Sequence, residues 1–205
     1  IFVPIFFLKN NFSLNLTIAY IFYMYLVFGI ASFYVGILQE KIGIKKCIML
    51  STPFLILHLL FFIFPFHFYA FTQLQKHLFV FFTGLTAGIY NALYWVSINI
   101  LFARHAGHNL GVKIGILAAL PSFTAAIAPF FGGIIATLNP RALFLLSCIL
   151  IVFSIVPFFF SRQDVIKGSA FYINKYIIKK NLNLGLLYIV QGAFYSSGWI
   201  WLIFI

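Results

Sequence analysis

The sequence predicts an all-α bundle of membrane-crossing helices, and three observations carry that prediction. First, 64% of the 205 residues are hydrophobic, 29 of them Phe, and only 7% are charged. A soluble domain of this length cannot hide so much apolar surface, so lipid must be part of its solvent. Second, the apolar runs exceed the ~20 residues needed to cross a bilayer as a helix. In hydrocarbon the backbone must satisfy its own hydrogen bonds, as helices or as a closed barrel. The runs do not alternate polar and apolar residues, which excludes barrel strands. Third, the 13 Lys and Arg fall in short connections between the runs, where they act as orientation signals.

The elements follow in order. Residues 1–8 end a first span, closed by Lys9-Asn10-Asn11, and the second span covers residues 15–38. The charged stretch GILQEKIGIKK (36–46) follows as a turn, and the third span covers residues 46–69. A turn at residues 73–77 leads to the fourth span, 78–103, and a polar loop at 104–111 to the fifth, 112–137. Asn139-Pro140-Arg141 is a tight turn, and the sixth span covers residues 142–160. A basic connector, 161–181, precedes a seventh span, 182–205. The expected organisation is a bundle at 1–160, the connector, and a seventh helix that starts a second half. The chain begins and ends inside apolar segments, so a fragment of a longer protein is expected.

Alternate connections separate the basic residues unequally. Ten lie in one set: Lys41, Lys45, Lys46, Arg104, Lys113, Arg162, Lys167, Lys175, Lys179 and Lys180. Three lie in the other: Lys9, Lys76 and Arg141. The positive-inside bias makes the first set cytoplasmic, including the 36–46 stretch and the 161–181 connector. The same placement argues against a nucleic-acid partner, despite a net charge of +11. In the connector, Lys167, Lys175 and Lys179 recur at multiples of four. That spacing fits a helix lying on the membrane surface, with a solvated connector as the alternative. The Phe, Ile, Lys and Asn bias suggests a prokaryotic plasma or inner membrane. Cys47 sits at a membrane boundary and Cys148 inside a span, so a bridge between them is not expected.

The 36–46 stretch carries a family resemblance. Gly36, Leu38, Lys41, Gly43 and Lys45 match the form G-x-L-x-D-[RK]-x-G-[RK]-[RK], found between the second and third helices of major facilitator superfamily transporters. Glu40 stands at the Asp position, and Ile44 departs from a position that is usually basic. The chain thus resembles the six-helix N-terminal half of such a transporter plus the seventh helix. By residue type, Gly36 allows close helix approach, Gly43 permits positive φ, and the lysines anchor the loop at the inner leaflet. The resemblance implies that Glu40 contacts the opposite half, at the cytoplasmic end of an eleventh helix, and favours the outward-open state.

A second match, TAAIAPFFGG at 124–133, resembles the family's fifth-helix motif G-x-x-x-G-P-x-x-G-G. Pro129, Gly132 and Gly133 match, while Thr124 and Ala128 replace two glycines. The resemblance places this motif between the halves and associates it with exporters; an ordinary small-residue helix contact is the alternative. In the fourth span, Gly84, Gly88, Asn91, Trp95 and Asn99 fall at helical spacing on one face. Asn91, Tyr94, Trp95 and Asn99 are candidate substrate-path residues, as is Gln191 in the seventh span, which polar residues interrupt. Hydrogen bonding and packing between helices is the alternative. His58 is the one midmembrane histidine. Because the resemblance puts the third helix at the periphery, it is expected to serve as a structural hydrogen-bond donor.

No paired carboxylates, nucleophile–base pair or phosphate loop occurs, and His105 and His108 lack companion ligands for a metal. The expectation is therefore no enzyme, no cofactor and no metal. The expected function is transport of a small solute by alternating access, in a lipid bilayer, by a chain that is monomeric at full length and completed by its C-terminal half. The alternatives are a dimerising half-transporter or scaffold and, behind these, a membrane-embedded lipid enzyme.

Overall fold

The computed structural model describes residues 2–63, 71–105 and 110–160. In chain order its helices are α1 (Phe2–Lys9), α2 (Leu14–Ile42), α3 (Ile44–Ile63), α4 (Gln73–Asn91), α5 (Ser97–His105), α6 (Leu110–Leu138) and α7 (Pro140–Phe160). A single π-helical turn, Ala92–Val96, joins α4 to α5 in one rod. The described residues are all helix and connection, with no strand. Four stretches among them are long and apolar enough to cross a membrane: Leu14–Ile42, Ile44–Ile63, Gln73–Phe102 and Ala142–Phe160.

Several boundaries differ from expectation, each for a local reason. The turn expected at 73–77 is helix. Thr72 accepts from the Gln75 amide at 3.3 Å while its own amide donates to Gln75 Oε1 at 2.8 Å. This reciprocal cap satisfies two orphan donors, so α4 starts ahead of the apolar run. Likewise α2 continues to Ile42 rather than ending at 38. At 29 residues it is about 44 Å long, against about 30 Å of hydrocarbon, so its charged last turn reaches the interface. The Asn139–Arg141 turn contracts to Asn139. Pro140 opens α7, where a missing N–H costs nothing, and Asn139 Oδ1 accepts from the Ala142 amide at 3.3 Å. The end of the expected third span, residues 64–70, and the connector and seventh span, 161–205, lie outside the described residues.

The chain runs up and down, so the bundle has two ends. At one, Phe7 is fully buried among Phe12, Tyr20, Phe62 and Phe79, with ring centroids 5.0–6.1 Å apart. Phe62 also stacks on Phe144 of α7 at 5.3 Å. Such pairs contribute about 0.5–1.5 kcal/mol each beyond area burial. Lys76 closes this end by donating to the Asn11 carbonyl at 3.1 Å. At the other end lie the last turn of α2, the start of α3, and α5.

Between the ends, α2 packs most extensively on α4. Lipid tails are as apolar as Leu, so helices associate in a membrane through close packing rather than through apolar burial. Gly84 and Gly88 provide that closeness. A Cβ on Gly84 would stand 2.9 Å from Tyr23 Cβ, and one on Gly88 2.7 Å from the Met24 carbonyl oxygen. His58 of α3 is buried, and its Nδ1 donates to the Thr83 carbonyl of α4 across 3.1 Å. Its ring lies flat against Tyr20, 6.2 Å away, and edge-on to Phe62 at 5.2 Å. This is the structural role expected of it.

Candidate functional site

The loop motif is mostly helix. Gly36 to Ile42 form the last two turns of α2, and Gly43 alone breaks the path to α3. Its φ of 89° and ψ of 155° fall in a region essentially restricted to glycine, as the motif glycine implied. The Gly43 amide donates back to the Gln39 carbonyl at 2.9 Å, and its own carbonyl accepts from the Cys47 amide at 3.2 Å. One residue thus ends one helix and starts the next. Lys41 and Lys46 are exposed, Gly36, Leu38, Glu40 and Lys45 half-buried, and Gly43 buried. Leu38 packs onto the cluster of Val35, Cys47, Ala92 and Leu93 that joins α2, α3 and the π turn.

The fourth-span residues do not share one face. Gly84 and Gly88 are buried against α2, whereas Trp95 is 42% exposed and Asn99 is exposed. The π turn lies between them. It adds a residue to the repeat, so the buried stripe passes from Gly88 through Ala92 and Leu93 to Ser97. The even spacing that suggested a single face assumed an uninterrupted α-helix. Asn91 Nδ2 donates to the Ala87 carbonyl of its own helix at 2.9 Å. Tyr94 stacks on Tyr90 at 5.7 Å, meets Trp95 edge-on at 5.4 Å, and packs on Ile44 and Ile48. The structure therefore brings Tyr94 to the loop motif and leaves Trp95 and Asn99 on the far side of the rod. Gln191 lies outside the described residues.

Gln39, at an unspecified position of the motif, is 1% exposed, and its Nε2 donates to the fully buried Ser97 Oγ at 2.8 Å. Sequence reading placed Gln39 in a turn and missed this link. The available signal was its position, four residues before the glycine that ends α2.

On α6, Thr124, Ala128 and Pro129 are exposed, Gly132 is buried and Gly133 half-buried. Thr124 Oγ1 donates to the Leu120 carbonyl at 2.9 Å, so its hydroxyl is satisfied within the helix. Among the described residues no group of three His, Cys, Asp or Glu is gathered where a metal could bind.

A bundle of apolar spans with a glycine-broken, lysine-rich joint at one end belongs to the class of helical membrane proteins. The family model of the Major Facilitator Superfamily matches residues 1–205, and the chain belongs to that family. No curated protein and no solved structure matches it.

Proposed function

We propose that this chain forms part of a transporter that carries a small solute by alternating access, with Glu40 in its conformational switch. The observation that carries the reading is the joint itself. Glu40 sits half-buried on the last turn of α2, three residues before a glycine held at φ 89°. One residue separates this helix end from the next helix, and an acid there can engage a positive helix N-terminus or a cation. In this reading the partner of Glu40 lies in the second half of the transporter, and the contact holds the outward-open state. Exposure of Thr124, Ala128 and Pro129 on α6 supports placing that face against the same second half.

The motif end faces the cytoplasm of a prokaryotic plasma or inner membrane. Lys41, Lys45 and Lys46 gather there, while Lys9 and Lys76 lie at the opposite end, which matches the positive-inside bias. Of the fourth-span candidates, Trp95 and Asn99, exposed on the side of the rod away from the loop motif, line the solute path, joined by Gln191. Asn91 and Tyr94 serve packing and hydrogen bonding within the bundle. The protein works as a monomer, without catalysis and without a cofactor.

The test replaces Glu40 by Gln in the full-length protein. Solute uptake is expected to fall at least about tenfold, the scale of one charge-assisted contact, while membrane insertion and expression stay unchanged. Normal uptake would remove Glu40 from the switch.

A further inference from the structure

Gln39 stands between Leu38 and Glu40 and holds an arrangement that the switch reading does not require. Its amide is sealed between α2 and α5. Nε2 donates to Ser97 Oγ at 2.8 Å, and among the described residues Oε1 has no hydrogen-bond partner. Turning the amide over would let Oε1 accept from the Ser97 hydroxyl and leave the NH2 group unmet instead. Either way, among the described residues one polar atom of this buried amide has no protein hydrogen-bond partner. An unmet buried group raises the free energy of the arrangement that holds it. The closed contact is therefore held less tightly than a fully satisfied one, and hydration of the amide offsets part of the cost of opening it.

Ser97 is the first residue after the π turn. A π turn carries one residue more than the α path, so converting it to α would rotate α5 by about 100°. That rotation would carry Ser97 away from Gln39. We propose that Gln39 and Ser97 form a buried latch between the loop motif and the π turn. Its release hydrates the Gln39 amide and couples movement at the Glu40 end of α2 to rotation of α5. The latch rests on the alternating-access reading and extends it by naming the positioning residue that links the switch to the fourth span.

A purely structural hydrogen bond makes the opposite prediction for one substitution. Leucine has the bulk of glutamine without its polar atoms. If the unmet atom keeps the latch poised, Gln39→Leu tightens the closed state; if the bond is only adhesive, the same change loosens it. Cys47 is the reporter. It is fully buried, packed with Val35, Ala92 and Leu93 beside the π turn. Replacing Cys148 by Ser leaves it as the single thiol of this sequence.

The experiment measures the rate at which N-ethylmaleimide modifies Cys47 in the full-length Cys148→Ser protein in lipid nanodiscs, followed by mass spectrometry. Gln39→Leu is expected to slow modification about fivefold. Ser97→Ala, which strands the whole amide, is expected to speed it by a similar factor, and the double variant should return to the slow rate. Gln39→Met provides the same comparison if the leucine variant fails to fold. Faster or unchanged modification in the apolar variants overturns the latch. Glu40→Gln separates this proposal from the reading beneath it. A rate change seen with Gln39 present and lost in Gln39→Leu supports the coupling. An equal change in both backgrounds overturns the latch and leaves alternating access standing. No change in either, with Gln39→Leu still slow, removes the switch role of Glu40 and with it the coupling, leaving a local latch alone.

Discussion

At the scale of single residues, two glycines of similar sequence context have opposite consequences. A Cβ on Gly88 would lie 2.7 Å from both the Met24 carbonyl oxygen and Val27 Cβ, while one on Gly29 meets nothing within 4 Å. The first obstacle is partly backbone, so α2 and α4 must separate to admit it. Gly88→Ala should therefore cost about 1–3 kcal/mol, the usual penalty of overpacking. Gly29→Ala should leave stability unchanged or slightly raised, because alanine is the better helix former. Thermal unfolding of the two variants in the same detergent checks both, and equal midpoints would show that the close α2–α4 crossing is not required. His58 gives a second contrast. His58→Phe keeps the ring against Tyr20 and Phe62 and loses only the bond to Thr83, a loss of about 0.5–1.5 kcal/mol. His58→Ala also leaves a cavity, and should cost about 2–5 kcal/mol. A phenylalanine variant as unstable as the alanine one would make the Thr83 bond, rather than the aromatic packing, the main contribution of His58.

Elements show where sequence periodicity holds and where it stops. Gly84 and Gly88 sit four residues apart and do share a face, so the first half of the fourth-span stripe was legible. The second half was not, because a π turn leaves no mark in an apolar sequence: ALYWV is as compatible with an α turn as with a π one. After it, Ser97 takes the buried position and Trp95 the exposed one. Similarly, Gln39 and Glu40 look like loop residues by composition, yet they are helical because nothing before Gly43 interrupts α2. Gly43 itself was legible, since the motif needs a residue that tolerates positive φ. The split stripe leads to a separate expectation for Trp95. Its ring is 42% exposed, so Trp95→Ala should leave the unfolding midpoint within about 1 °C, whereas a solute-path role requires a changed apparent KM for uptake. Unchanged uptake kinetics would assign the ring to lipid or to the second half of the transporter.

For the whole molecule, the two ends of the bundle differ in chemistry. An aromatic cluster and Lys76 close one end; Gly43 and three lysines shape the other. Hydropathy alone made four of the described spans legible in order, at Leu14–Ile42, Ile44–Ile63, Gln73–Phe102 and Ala142–Phe160, because lipid demands a minimum length and apolar content of each. The expected fifth span, 112–137, is not among these four. The distribution of lysines carries the orientation proposed above, since each charge resists transfer across the membrane during insertion. This orientation has a direct test. Lys46 and Leu74 are both exposed and lie at opposite ends. In a chain with both native cysteines replaced by serine, Leu74→Cys should react with a membrane-impermeant maleimide in intact cells. Lys46→Cys should react only after the membrane is permeabilised. The reverse pattern would invert the bundle. It would place Glu40 and the Gln39–Ser97 latch on the outer face, where the inner-leaflet anchoring of the lysines no longer applies.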